Sequence, residues 1–92
     1  MQVRWTKRAL SDLARIVEYI ALDKPAAAGK LAAEIREKTE RLKDFPYMGR
    51  SSSGMDLREF VVHRHYLVTY RIRPDWIEVL QVWNTYQNRN GS

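Results

Sequence analysis

The chain predicts an α+β fold in the order βααβββ: a helical hairpin packed on one face of a small, twisted, mainly antiparallel sheet. Three observations carry that prediction. Residues 7–45 hold two stretches with apolar residues at helical spacing, parted by Asp23-Lys24-Pro25. Residues 57–83 hold runs rich in Val, Tyr, Ile and Trp that alternate with the two-residue period of a strand. A short alternating run, Gln2-Val3-Arg4-Trp5, precedes the first helical stretch.

In that first run Val3 and Trp5 fall on one side of a strand. Thr6 carries the side chain of a helix N-cap. Leu10, Leu13, Val17 and Ile20 form the predicted buried stripe of the first helix, leaving Arg8, Asp12, Arg15 and Glu18 to face water. The helix is expected to end near Asp23, because Pro25 disfavours helical backbone at Lys24. Pro25 itself suits the first position of the second helix. Ala28, Leu31, Ala32, Ile35, Leu42 and Phe45 continue the period to Pro46, where it must stop. PYMGRSSSGMD, residues 46–56, reads as a loop from its proline, glycines and serines. LREFVVH (57–63) and YLVTYRI (66–72) follow as strands joined by Arg64–His65. Arg73-Pro74-Asp75 then turns the chain into WIEVLQVW, residues 76–83. Residues 84–92, NTYQNRNGS, lack periodicity and are expected to form a polar tail.

A chain of 92 residues is expected to form one domain, 1–92. It contains no cysteine, which excludes a disulfide framework and thiolate metal ligation. No apolar run has the length of a membrane span, and the first residues lack the apolar core of a secretion signal. The expected compartment is therefore the cytoplasm, with no membrane partner. Sixteen basic residues against eleven acidic ones leave a formal charge of +5. No lysine follows Lys43; the basic residues beyond it are Arg50, Arg58, Arg64, Arg71, Arg73 and Arg89. Arginine's planar fork suits carboxylate and phosphate, so the strand half has the chemistry of a recognition surface.

Alternation divides the second strand into Leu57, Glu59, Val61, His63 and Arg58, Phe60, Val62, Arg64. In the third, Tyr66, Val68, Tyr70 and Ile72 suit the helix-covered face, and Thr69 and Arg71 the open one. Arg58 joins Arg71 there if the hairpin register allows. For catalysis, His63 or His65 would be the general acid or base and Glu59 an alternative base, with Arg58 and Arg71 stabilising charge on a scissile phosphate. The competing structural account has Arg58 and Glu59 in cross-strand ion pairs and both histidines solvated at a turn. Two histidines two residues apart, without organised carboxylates, make a poor metal site, and no cofactor is expected. Tyr66, Tyr70, Trp76, Trp83 and Tyr86 offer rings for nucleic-acid stacking, for a protein interface, or for the core.

WTKRALSDLARIVEYIA, LKDFPYMGR, LREFVV, YLVTYRI and IEVLQV, in this order and spacing, resemble the RelE/ParE superfamily of toxins from bacterial type II toxin–antitoxin modules. The resemblance runs from about Val3 to Trp83, and its specific part is the FP-x-MGR loop followed by LRE and Y-x-V-x-YR. It implies the βααβββ fold and a cognate antitoxin as partner. RelE-like members cut mRNA on the ribosome, and ParE-like members poison DNA gyrase. In the nuclease pattern Arg58 fits, but Phe60 stands at a basic position and Leu67 follows Tyr66 where an arginine belongs. Asn84 occupies a common histidine position, with Tyr86 and Arg89 nearby. The resemblance is therefore closer to ParE, with DNA gyrase as target and Arg58, Arg71, Trp83, Asn84 and Tyr86 as the expected contacts. The alternative is a ribosome-dependent mRNA endonuclease using Arg58, Glu59, His63, His65, Arg71 and Tyr86.

Overall fold

The computed structural model describes residues 1–52 and 56–85. Strand β1 (Gln2–Trp5) leads into helices α1 (Lys7–Ala21) and α2 (Pro25–Glu40) and a 3₁₀ turn at Arg41–Lys43. Strands β2 (Arg50–Ser52), β3 (Leu57–His63), β4 (Tyr66–Ile72) and β5 (Trp76–Asn84) follow. The sheet order is β1-β5-β4-β3-β2, with β1 parallel to β5 and every other pair antiparallel. Leu13, Leu31, Ile35 and Leu42 pack against Val62, Val68, Tyr70, Ile77, Val79 and Val82, so both helices cover the same face of the sheet.

The predicted α+β architecture holds, with four corrections. First, the 46–56 stretch contains β2, whose Arg50 and Ser52 pair with Glu59 and Leu57; its serines and arginine carry no apolar alternation by which to read a strand. Second, α2 stops at Glu40 and the chain tightens into a 3₁₀ turn, which keeps Leu42 buried but leaves Phe45 62% exposed. Third, the expected polar tail begins too early, because Asn84 is still in β5, paired with Tyr66.

The fourth correction concerns α1. Leu10 is largely exposed, whereas Asp12 is 6% exposed, the reverse of the expected orientation. Leu13, Val17 and Ile20 of the expected stripe do pack inward, joined by Ala9 and Ile16 in place of Leu10. Asp12 is drawn inward by a gap in the sheet. The β1 pairing ends at Trp5–Val79, while β5 runs on to Asn84. Thr6 covers the first uncovered group: its N–H reaches the Val79 carbonyl at 3.1 Å, and its hydroxyl also caps Ala9. Further along the helix the Asp12 carboxylate accepts the Val82 N–H at 3.1 Å, in place of a missing strand. Arg8 and Arg15 donate to its other oxygen at 3.1 and 3.0 Å. Both arginines are mostly exposed, so the larger contribution comes from the buried backbone contact.

A second buried polar unit ties the loop after α2 to the sheet. The Tyr70 hydroxyl donates to the Pro46 carbonyl at 2.6 Å and accepts the Gly49 N–H at 3.0 Å. Arg58 donates to the Gly49 carbonyl at 2.6 Å, with its guanidinium over the Tyr47 ring. A Cβ at Gly49 would lie 2.7 Å from both the Glu59 carbonyl and the Tyr70 ring, so only glycine fits. Burial pushes the Tyr70 phenol above its ordinary value, partly offset by the Gly49 N–H and the Arg58 charge. Burial also raises Tyr66.

Two outcomes follow from these units. Asp12→Ala leaves the Val82 N–H without its acceptor and should cost about 2–3 kcal/mol in urea unfolding, against a smaller loss for Asp12→Asn. Tyr70→Phe removes both loop contacts and should cost about 1–3 kcal/mol. Because the folded chain holds the Tyr66 and Tyr70 protons more tightly than the unfolded chain, their contribution is complete below about pH 10 and is lost as pH rises beyond it. Stability measured across that range should fall more shallowly for Tyr70→Phe than for the parent; identical slopes would contradict the assignment.

Candidate functional site

Paired residues of neighbouring strands share a face, so the register assigns each candidate side chain. Arg58 pairs with Tyr70 and therefore lies on the helix-side face, engaged with the 46–49 loop. Arg71 pairs with Glu78 and lies on the opposite, open face. The conditional joining of Arg58 and Arg71 does not occur: one hairpin register sends them to opposite sides. Glu59 pairs with Thr69 on the open face and meets Arg50 at 3.4 Å, so its ion-pair partner is Arg50 rather than Arg58.

His63 also departs from its expected face. The β3–β4 register shifts between Val61 and His63, placing Val61 opposite Leu67 and His63 opposite Tyr66. The imidazole thus turns toward α2, with Nε2 3.7 Å from the Glu34 carboxylate; Nδ1 is buried without a hydrogen-bond partner among the described residues. His65 lies in the tight turn, its ring 6.3 Å from that of His63, and its carbonyl accepts the Thr85 N–H. His63 lies on the helix-side face, opposite to Glu59 and Arg71, and His65 lies in the turn. Among the described residues no three His, Asp or Glu side chains are grouped to hold a metal ion.

The open face is more ordered than alternation suggested. Thr69 and Leu67 are 9% and 4% exposed although no helix covers them. Trp83 lies opposite Leu67, and its indole N–H donates to the Thr69 hydroxyl at 3.0 Å. At the other end of this face, Glu78 sits between Arg71 and Arg4 in one row across β4, β5 and β1. Arg73 donates to Glu78 at 3.2 Å, and the Arg4 guanidinium lies 4.9 Å from the centroid of the Trp76 ring. Of the five expected contacts, Arg71 and Trp83 share this face. Asn84 pairs with Tyr66 across the strand, Arg58 is on the other side, and Tyr86 lies outside the described residues.

Sequence reasoning missed Arg4, Glu78 and Trp76 as members of one cluster. They become neighbours only once β1 is known to lie parallel to β5, and no local signal states that pairing. A groove between α1 and the end of β5, lined by Arg8, Arg15, Tyr19, Tyr66 and Trp83 among others, was equally hidden, since it depends on Asp12 turning inward. No helix among the described residues is long and apolar enough to cross a membrane.

Comparison with known proteins agrees with this architecture. Residues 3–89 match the family described as the ParE toxin of type II toxin–antitoxin system, parDE. The chain is 37% identical to a Sinorhizobium fredii protein named "Putative toxin Y4kP", over 94% of this chain and 90% of that one. It is 33% identical to Toxin RelE2 of Caulobacter vibrioides, over 88% and 91%. Among solved structures it resembles one titled as the chromosomal ParDE TA system from P. aeruginosa, with a TM-score of 0.82 at 24% identity, covering 91% of this chain and 95% of that one. The solution structure of a conserved hypothetical protein from Helicobacter pylori shares the fold more loosely, with a TM-score of 0.57 at 13% identity over 91% and 93%. The chain belongs to the ParE toxin family, within the RelE/ParE superfamily of type II toxin–antitoxin toxins.

Proposed function

We propose that this toxin acts by binding, with DNA gyrase as its target, and that its cognate antitoxin neutralises it. The observation that supports binding over RNA cleavage is the scatter of the candidate catalytic groups. Cleavage through the RNA 2′-hydroxyl needs a base, an acid and a charge-stabilising cation around one phosphate. Arg58 holds a loop on the helix side, His63 faces Glu34, and Glu59 and Arg71 lie on the open face. Gyrase as target draws on the ParE family match and is compatible with the relative named RelE2, since names within the superfamily mix. The same reading treats residues 1–92 as one toxin domain working in the cytoplasm, through the open face that carries Arg71 and Trp83.

Purified protein, freed from its antitoxin, should inhibit gyrase supercoiling and leave cleaved DNA on the enzyme, while messages on translating ribosomes stay intact. Codon-positioned cuts in translated mRNA with unaffected supercoiling would replace this reading by the endonuclease one.

A further inference from the structure

We propose that the loop after α2 is a self-association surface, on which a second copy of this chain docks against Phe45, Tyr47 and Met48 through a two-fold axis. These three side chains are 62%, 71% and 41% exposed and line one groove together with Pro46, Arg41 and Asp44. Their exposure belongs to a fixed backbone. The Phe45 N–H donates to the Arg41 carbonyl at 3.1 Å, and the Met48 N–H to the Phe45 carbonyl at 3.0 Å. The Tyr70 hydroxyl holds the Pro46 carbonyl and the Gly49 N–H, and the Arg58 guanidinium lies 4.8 Å from the Tyr47 ring centroid. A loop already ordered in the free chain loses little further freedom on docking, so burial of its apolar surface goes into binding. Contiguous apolar exposure of this kind on a folded domain marks an interaction site.

The rim of the groove identifies the occupant. Arg41 and Asp44 are both exposed, and among the described residues neither side chain has an ion-pair partner. One cation and one anion make this rim neutral in a chain of charge +5. A phosphate chain or an anionic bilayer would find no excess of positive charge there. A two-fold axis instead sets Arg41 of one copy against Asp44 of the other and repeats the pair, so one surface supplies both halves of the match. Three large side chains per copy put the contact at the low end of interface sizes, with a Kd on the order of 0.1 mM. The contact stands whether or not gyrase is the target.

Sedimentation velocity of the full chain, freed from its antitoxin, over about 10 µM to 1 mM reads the association directly. Salt at about 0.15 M limits repulsion between two chains of charge +5. The parent should pass from monomer towards dimer across this range and go no further, because a two-fold contact closes. Asp44→Arg places like charges across the axis and should weaken the dimer by about tenfold or more. Arg41→Asp/Asp44→Arg restores opposite charges and should return it to within about threefold of the parent. Phe45→Ser should abolish dimerisation without lowering the Tm, since that ring is mostly exposed; it replaces either charge variant that fails to unfold cooperatively. A parent that stays monomeric, open-ended aggregation, equal association by parent and Asp44→Arg, or no recovery in the folded double variant overturns the proposal. So does a monomeric parent whose antitoxin affinity falls with Phe45→Ser, which would make the antitoxin the occupant of the groove.

Discussion

Gly49 is held from both sides of its peptide unit, its N–H by the Tyr70 hydroxyl and its carbonyl by Arg58, with no room for a side chain between. Three stretches distant in the chain meet there: the FP-x-MGR loop, the LRE segment and the end of Y-x-V-x-YR. Those stretches carry the superfamily resemblance, and their meeting gives it a physical cause. A hydroxyl buried at the centre of the sheet needs partners, and the loop supplies a carbonyl and an N–H. The loop in turn leads into β2, so this contact also brings the last strand onto the sheet edge.

That arrangement limits the chemistry available elsewhere. An arginine occupied by a loop carbonyl and stacked on Tyr47 is poorly placed to stabilise a phosphate on the other side of the sheet. With Arg58 committed inward, the open face keeps Arg71, Arg73 and Arg4, interleaved with Glu78 and bounded by Trp76 and Trp83. Mixed charge with aromatic anchors is the chemistry of protein recognition. Register thus divides the two arginines: the β3–β4 pairing that sends Arg58 to the loop leaves Arg71 on the open face.

Much of the fold was legible because local and tertiary preferences agree. Thr6 caps, Pro25 starts a helix, and Tyr66, Val68, Tyr70 and Ile72 turn toward the helices as their alternation predicts. What stayed hidden depends on partners distant in sequence. Asp12 looks like a solvated helix residue until β5 is seen to outrun β1 by several residues. His63 changes face through one register shift, which no residue type near it announces. Arg58 and Arg71 were expected to share a face only if the hairpin register allowed it, and it does not, since alternation within each strand says nothing about how two strands are aligned. Gly49, Arg58 and Tyr70 belong to the segments that carry the family resemblance, yet motif spacing alone does not separate a structural contact from a catalytic one.

The most direct test is a double-mutant cycle between Tyr70→Phe and Arg58→Ala, read by urea unfolding. If both side chains act through Gly49, their effects should be non-additive, with a coupling of more than about 0.5 kcal/mol. Additive losses, or an Arg58→Ala variant as stable as the parent, would mean that Arg58 does not hold the loop and would return it to the list of groups able to act on a ligand.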